Sequence, residues 1–102
     1  MKTLYISKEK LIKSDISAWK KELNQVNEAI EELNALLPTI EAQAAEWLYK
    51  CNNGKNYEIV EAYVVMSKNY STMVKDTERK IADLTGRANR INGLIENLKA
   101  QL

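Results

Sequence analysis

The stretch ISAWKKELNQVNEAIEELNALL, residues 16–37, decides the fold of this chain. Its large apolar residues, Ile16, Trp19, Leu23, Val26, Ile30, Leu33 and Leu37, recur at alternating steps of three and four. A helix gathers such positions into one narrow stripe, and a stripe this long packs lengthwise on another helix. The repeat runs on through Ile40, Ala44, Trp47 and Cys51. After one Gly-containing turn it resumes as Val60, Tyr63, Ser67, Tyr70, Val74, Thr77, Ile81, Leu84, Ala88, Ile91, Ile95, Leu98 and Leu102. The expectation is an all-α chain: a long antiparallel helical hairpin, coiled-coil-like, forming a single domain over residues 1–102 and assembling into a helical bundle.

Local signals set the boundaries. Ser7 is a fitting N-cap for a helix opening at Lys8. Ser14 or Asp15 offers a later start, but Ile12 continues the apolar seam backwards and favours the earlier one. The turn is read at residues 52–56, because Asn52, Asn53, Gly54 and Asn56 tolerate left-handed backbone and end helices. Helix 1 then spans about 8–51 and helix 2 about 57–101. Pro38 disturbs the first helix: it lacks an N–H and its ring clashes with the preceding turn, at a cost of about 3 kcal/mol. The helix is expected to be kinked or broken there. The heptad phase passes from Leu33 and Leu37 to Ile40 and Ala44 without slipping, which favours a kinked but continuous helix over a break that would make a third helix.

Folding about Gly54 sets Trp47 near Val60 or Glu61, Ala44 near Tyr63 and Val64, Trp19 near Ala88, and Ile12 near Ile95. Large side chains then face small ones at two levels, as an interdigitating core requires. Trp19, Trp47 and Ala88 are therefore read as structural. Ser67, Asn69, Ser71 and Thr72 lie opposite Pro38, and two suboptimal segments at one level suggest a bend.

Near the turn the chain carries more apolar residues than one seam can hide. Residues 59–66 read Ile-Val-Glu-Ala-Tyr-Val-Val-Met. Val60 and Tyr63 belong to the seam, Ile59, Val64 and Met66 flank it, and Val65 lies on the opposite side. Leu36, Leu48, Tyr49 and Met73 widen the same end. A helix apolar around most of its circumference is usually covered on several sides. Leu36, Leu48, Tyr49, Ile59, Val64, Val65, Met66 and Met73 are the candidate interface, for a second copy, for another protein, or for a covering segment of the chain itself such as Leu4-Tyr5-Ile6. At the other end the flanking positions are polar, with Leu94 the exception.

Composition limits the chemistry. The chain of 102 residues has 15 basic and 14 acidic residues and no Phe, three Gly and one Pro. The balance gives no global field for nucleic acid or acidic membranes. There is no His, which removes the commonest general base and metal ligand. Cys51, the single cysteine, reads as a small hydrophobe on the seam and cannot build a thiolate zinc site. Glu28 with Glu31 or Glu32 has helical spacing, but carboxylate di-metal bundles need Glu-x-x-His partners. Gly54, Gly86 and Gly93 are isolated and form no phosphate loop. No catalytic residue, cofactor, metal site or small-molecule substrate is expected.

Charge is uneven along the chain. Residues 22–46 hold six glutamates and no Lys or Arg. Lys68, Lys75, Arg79 and Lys80 face this stretch in the hairpin register and are candidates for pairing across it, with a simply solvated face as the alternative. Arg87 and Arg90 extend the basic residues, but Asp76, Glu78 and Asp83 interrupt any continuous stripe. No run reaches the roughly 20 apolar residues of a membrane span. The N-terminal apolar stretch is too short for a signal peptide. A cytoplasmic protein is the expectation, and leaderless secretion leaves the same trace.

These observations point to surface contact rather than catalysis: an assembly component, or a stoichiometric binder or inhibitor of another protein. Small helical inhibitors made by bacteriophages and mobile elements are one alternative, resting on size and the missing chemistry. The helix–turn–helix outline also resembles the small Trp-x-Gly hairpins of type VII secretion, which would imply a secreted protein. The chain departs from that pattern, since Trp47 and Gly54 are seven apart and no C-terminal Tyr-x-x-x-Asp/Glu signal is present. A nucleic-acid-associated helical protein is a further alternative, and it predicts binding that weakens steeply with salt.

Overall fold

The computed structural model describes residues 7–55 and 57–102, with Tyr57 and Glu58 described for their backbone alone. The Leu4-Tyr5-Ile6 segment, offered above as a cover, and turn residue Asn56 lie outside the described residues. Two helices make up the fold: α1, Lys8–Asn53, of 46 residues, and α2, Tyr57–Ala100, of 44. They pack on one another as an antiparallel hairpin.

The helix ends follow from identifiable groups. The Lys10 amide donates to Ser7 Oγ at 3.2 Å and the Leu11 amide to the Ser7 carbonyl at 3.1 Å. Ser7 thus satisfies amides that the first turn cannot, and the later start at Ser14 or Asp15 is excluded. At the other end of α1, the Asn53 side-chain amide donates to the Tyr49 carbonyl at 2.8 Å, which carries the helix two residues past Cys51. The last turn of α2 tightens, with Gln101 and Leu102 amides donating to the Leu98 and Lys99 carbonyls at 3.1 Å.

The turn departs from expectation in one respect. Among the described residues no glycine, and no other residue, adopts positive φ. Gly54 is needed for space instead. A Cβ there would run into the Val60 side chain and stand 3.1 Å from the Lys50 carbonyl. The chain reverses with helix α2 returning so close that only hydrogen fits.

Helix α1 passes through Pro38 without a break. Pro38 and Asn34 are both exposed, so the Asn34 carbonyl that the proline leaves unpaired can be hydrated. The cost is confined to one lost bond and one local clash, which the seam residues on either side outweigh.

The chain divides into two compact units, one of Met1–Ala29 with Leu84–Leu102 and one of Ile30–Asp83. The first, called turn-distal below, has a closed core. Ile12, Ile16 and Val26 of α1 and Ala88, Ile91 and Ile95 of α2 are buried, Ile91 to 2% exposure.

The turn-proximal unit is packed differently. Among its described residues only Ile40 and Thr77 are buried. Leu33, Leu37, Ala44, Trp47, Val60, Tyr63, Tyr70 and Val74 stand on the seam yet are only half-buried. The Trp47 and Tyr63 rings meet at a centroid distance of 5.5 Å and 49°. Rings of this size are seldom enclosed by two helices. Among the described residues the Trp47 Nε1–H is covered and meets no acceptor.

Candidate protein-interaction surface

Labelling the seam as heptad positions a and d makes the flanks explicit. With Ile30 and Leu37 at a on α1 and Val60 and Ser67 at a on α2, one flank is built from g positions and the other from e positions. In an antiparallel pair, g faces g and e faces e. Two observations fix this assignment. Glu22 and Arg87, both g, form an ion pair across the turn-distal unit. Glu41, Ser71 and Glu78, all e, line one cleft of about 330 Å³ with Ala44, Val74 and Lys75 in the turn-proximal unit.

The eight candidate interface residues can now be placed. Leu36, Ile59, Met66 and Met73 are all g. On α2 this gives an apolar stripe at steps of seven, Ile59, Met66 and Met73, with Leu36 of α1 on the same flank. Met66 is half-buried; Leu36, Ile59 and Met73 are exposed, Leu36 to 48% and Met73 to 46%. Leu48 and Val64 are e and lie on the opposite flank, both exposed. Tyr49 and Val65 are f, on the outer faces, also exposed. The eight residues thus occupy both flanks and two outer faces, with Val65 on the side away from the seam as its spacing indicates. Adjacency along α2, as in residues 64–66, carries side chains around the helix by about 100° per step.

Further apolar exposure occurs in the turn-distal unit, where the flank was read as polar apart from Leu94. Leu11, Trp19 and Leu94 are all exposed. Trp19, Arg87, Arg90, Ile91 and Leu94 line an open cleft of about 310 Å³. Trp19 sits at a seam position, yet it is exposed and lines clefts on the g flank with Glu22, Arg87 and Leu94. The size of Trp against a two-helix seam was the available signal. Leu11 precedes the regular repeat and gave none.

The electrostatics are local. Lys13 pairs with Glu9, Lys50 with Glu46, Arg79 with Asp76 and Lys99 with Glu96, at 3.0 Å, 3.4 Å, 3.7 Å and 3.6 Å, each within one helix. Among the described residues Glu22–Arg87 is the ion pair that joins the two helices. The cross-seam pairing for which Lys68, Lys75, Arg79 and Lys80 are candidates does not form among the described residues, and the solvated face, the other reading, fits them. Lys68 stands at b and Arg79 at f, both turned away from the other helix, and Lys75, also at b, borders the cleft that Glu41 lines without forming an ion pair with it. Lys80 is g, but of the α1 g positions from 22 to 50 only Glu22 is acidic, and Arg87 holds it. Lys50 also lies over the Trp47 ring, its Nζ 4.4 Å from the centroid, which screens the open side of the aromatic pair.

Among the described residues no helix is long and apolar enough to cross a membrane, and no cluster of His, Cys, Asp or Glu has metal-binding geometry. Cys51 is half-buried and free. Gly93 has open space where a Cβ would stand. No known protein family matches this chain, and neither does any curated protein or solved structure.

Proposed function

We propose that this chain is a non-enzymatic protein-interaction module whose binding face is the g flank of its turn-proximal unit. The observation that carries the reading is the stripe of Ile59, Met66 and Met73 at seven-residue spacing, with Leu36 beside it, left open on a unit whose own seam is only half closed. A stripe at heptad spacing repeats the period of the seam itself, so it matches a further helix laid along the hairpin. Met and Ile supply apolar area, and Met adapts its shape to a partner. The missing imidazole and the lone half-buried thiol give the chain little with which to do acid–base or metal chemistry. Binding a helix by surface contact needs neither.

The test compares wild type with a Leu36→Lys/Met73→Lys variant immobilised in parallel, after circular dichroism shows equal helicity. Both substitutions fall on exposed positions, so folding is retained. Self-association or a specific partner held by wild type and lost by the variant supports the reading. Identical association behaviour in both refutes it.

A further inference from the structure

We infer that the turn is a hinge at which the hairpin can open and exchange α2 with a second copy of the chain, and that Gly54 holds the chain in the closed form. In the exchanged form α2 of each copy packs on α1 of the other. The exchange leaves both flanks as they are, so it is independent of the binding face proposed above.

The seam itself does not choose between the two forms. Each compact unit is built from a stretch of α1 and a stretch of α2. The contacts between the helices include the buried Ile12, Ile16, Ile91 and Ile95, the Trp47–Tyr63 ring pair and the Glu22–Arg87 ion pair. All of them can form equally well between α1 of one copy and α2 of another, because the exchanged element is identical. What decides is the turn, set against the cost of bringing two chains together.

The turn depends on a missing side chain. Only residues 54–56 lie between Asn53, which ends α1, and Tyr57, which begins α2. A Cβ at Gly54 would run into the Val60 side chain and stand 3.1 Å from the Lys50 carbonyl. Val60 is branched at Cβ and has few rotamers with which to yield. The open chain has no such restriction. Residues 51–59 contain no proline, and among the described residues none has positive φ, so the stretch can straighten into helix. There glycine is unfavourable, as the poorest helix former after proline, and Asn52 and Asn53 are mediocre ones. Gly54 therefore permits the closed form and penalises the open one. One added methyl group reverses both effects, and a short hinge under strain is the condition that invites exchange.

Gly54→Ala tests this, with a cross-link that separates exchange from side-by-side association. Cys51→Ser/Glu22→Cys/Arg87→Cys places thiols where an ion pair joins the two helices. With a short bis-maleimide, the hairpin links 22 to 87 within one chain. The exchanged dimer links them between chains, at twice 11.7 kDa on a denaturing gel. Each variant is refolded from urea at equal concentration. With Gly54 in place the links should fall within chains. Gly54→Ala should remain helical by circular dichroism and shift the ratio toward links between chains by roughly thirtyfold or more, from the gain in helix propensity of two chains alone. Lengthening the turn of that variant by about four Gly and Ser residues should give the closed form room and return the links to within chains. Links that stay within chains in Gly54→Ala, loss of its helicity, an equal share of links between chains with Gly54 in place, or a lengthened turn that changes nothing overturns the inference.

Discussion

Replacing Pro38 by Ala should stabilise the protein, although proline substitutions are usually discussed the other way round. Pro38 lies inside α1 and is exposed. Its ring therefore contributes little packing that Ala would lose. Proline in a helix interior costs about 3 kcal/mol relative to Ala, through the missing amide and the clash with the preceding turn. Ala restores an amide able to donate to the Asn34 carbonyl. Against this, Ala frees the unfolded chain and gives back about 0.4–1 kcal/mol. The difference is a gain of about 2 kcal/mol. For a chain of this size about 1 kcal/mol moves Tm by roughly 4–8 °C, so Tm should rise by about 10 °C or more. Urea denaturation followed by circular dichroism, with calorimetry for Tm, measures it. An unchanged or lowered stability would mean that Pro38 makes a contact essential to the hairpin, and the account of α1 passing through it at local cost would fail.

The remaining predictions probe packing, pairing and the cap. Ile91→Ala removes a side chain that is 2% exposed and should cost about 2–5 kcal/mol, whereas Leu48→Ala, at 54% exposure, should cost under about 1 kcal/mol by denaturant titration; equal costs would contradict the packing described. Glu22→Lys or Arg87→Glu alone should lower stability by about 1 kcal/mol or less, because both groups are partly solvated. The double swap should recover most of it, and a swap no better than the singles would argue against the pair. Ser7→Ala should cost about 1 kcal/mol, visible as fraying of the first turn of α1 by amide exchange; unchanged protection at Lys10 and Leu11 would remove Ser7 as the cap.

Much of the hairpin was legible because its determinants are local or periodic. The a and d residues fixed both helices, Ser7 fixed the start of α1, and folding about Gly54 set Trp47 against Val60 or Glu61, two to three residues short of its ring partner Tyr63. What was not legible depends on the phase of one helix against the other. Whether Lys68 can reach a glutamate is decided by its b position, not by its level along the hairpin. The role of Gly54 was misread for a related reason. Its need for space comes from Val60 on the returning helix, while sequence suggests only a backbone preference. Burial also differs between the units despite one uninterrupted repeat: the seam positions filled by Ile12, Ile16, Ile91 and Ile95 close, and those filled by Trp47 and Tyr63 do not.

The central claim is that the turn-proximal unit is incomplete in an isolated chain and is completed by a partner helix. Hydrogen exchange by mass spectrometry, at dilute and at high protein concentration, reads this directly. The account predicts that in dilute solution the amides of Ile30–Asp83 exchange faster than those around Ile12, Ile16, Ile91 and Ile95, and that raising the concentration selectively protects the segments holding Leu36, Ile59, Met66 and Met73. Equal protection of both units at dilution, unchanged by concentration, would contradict it.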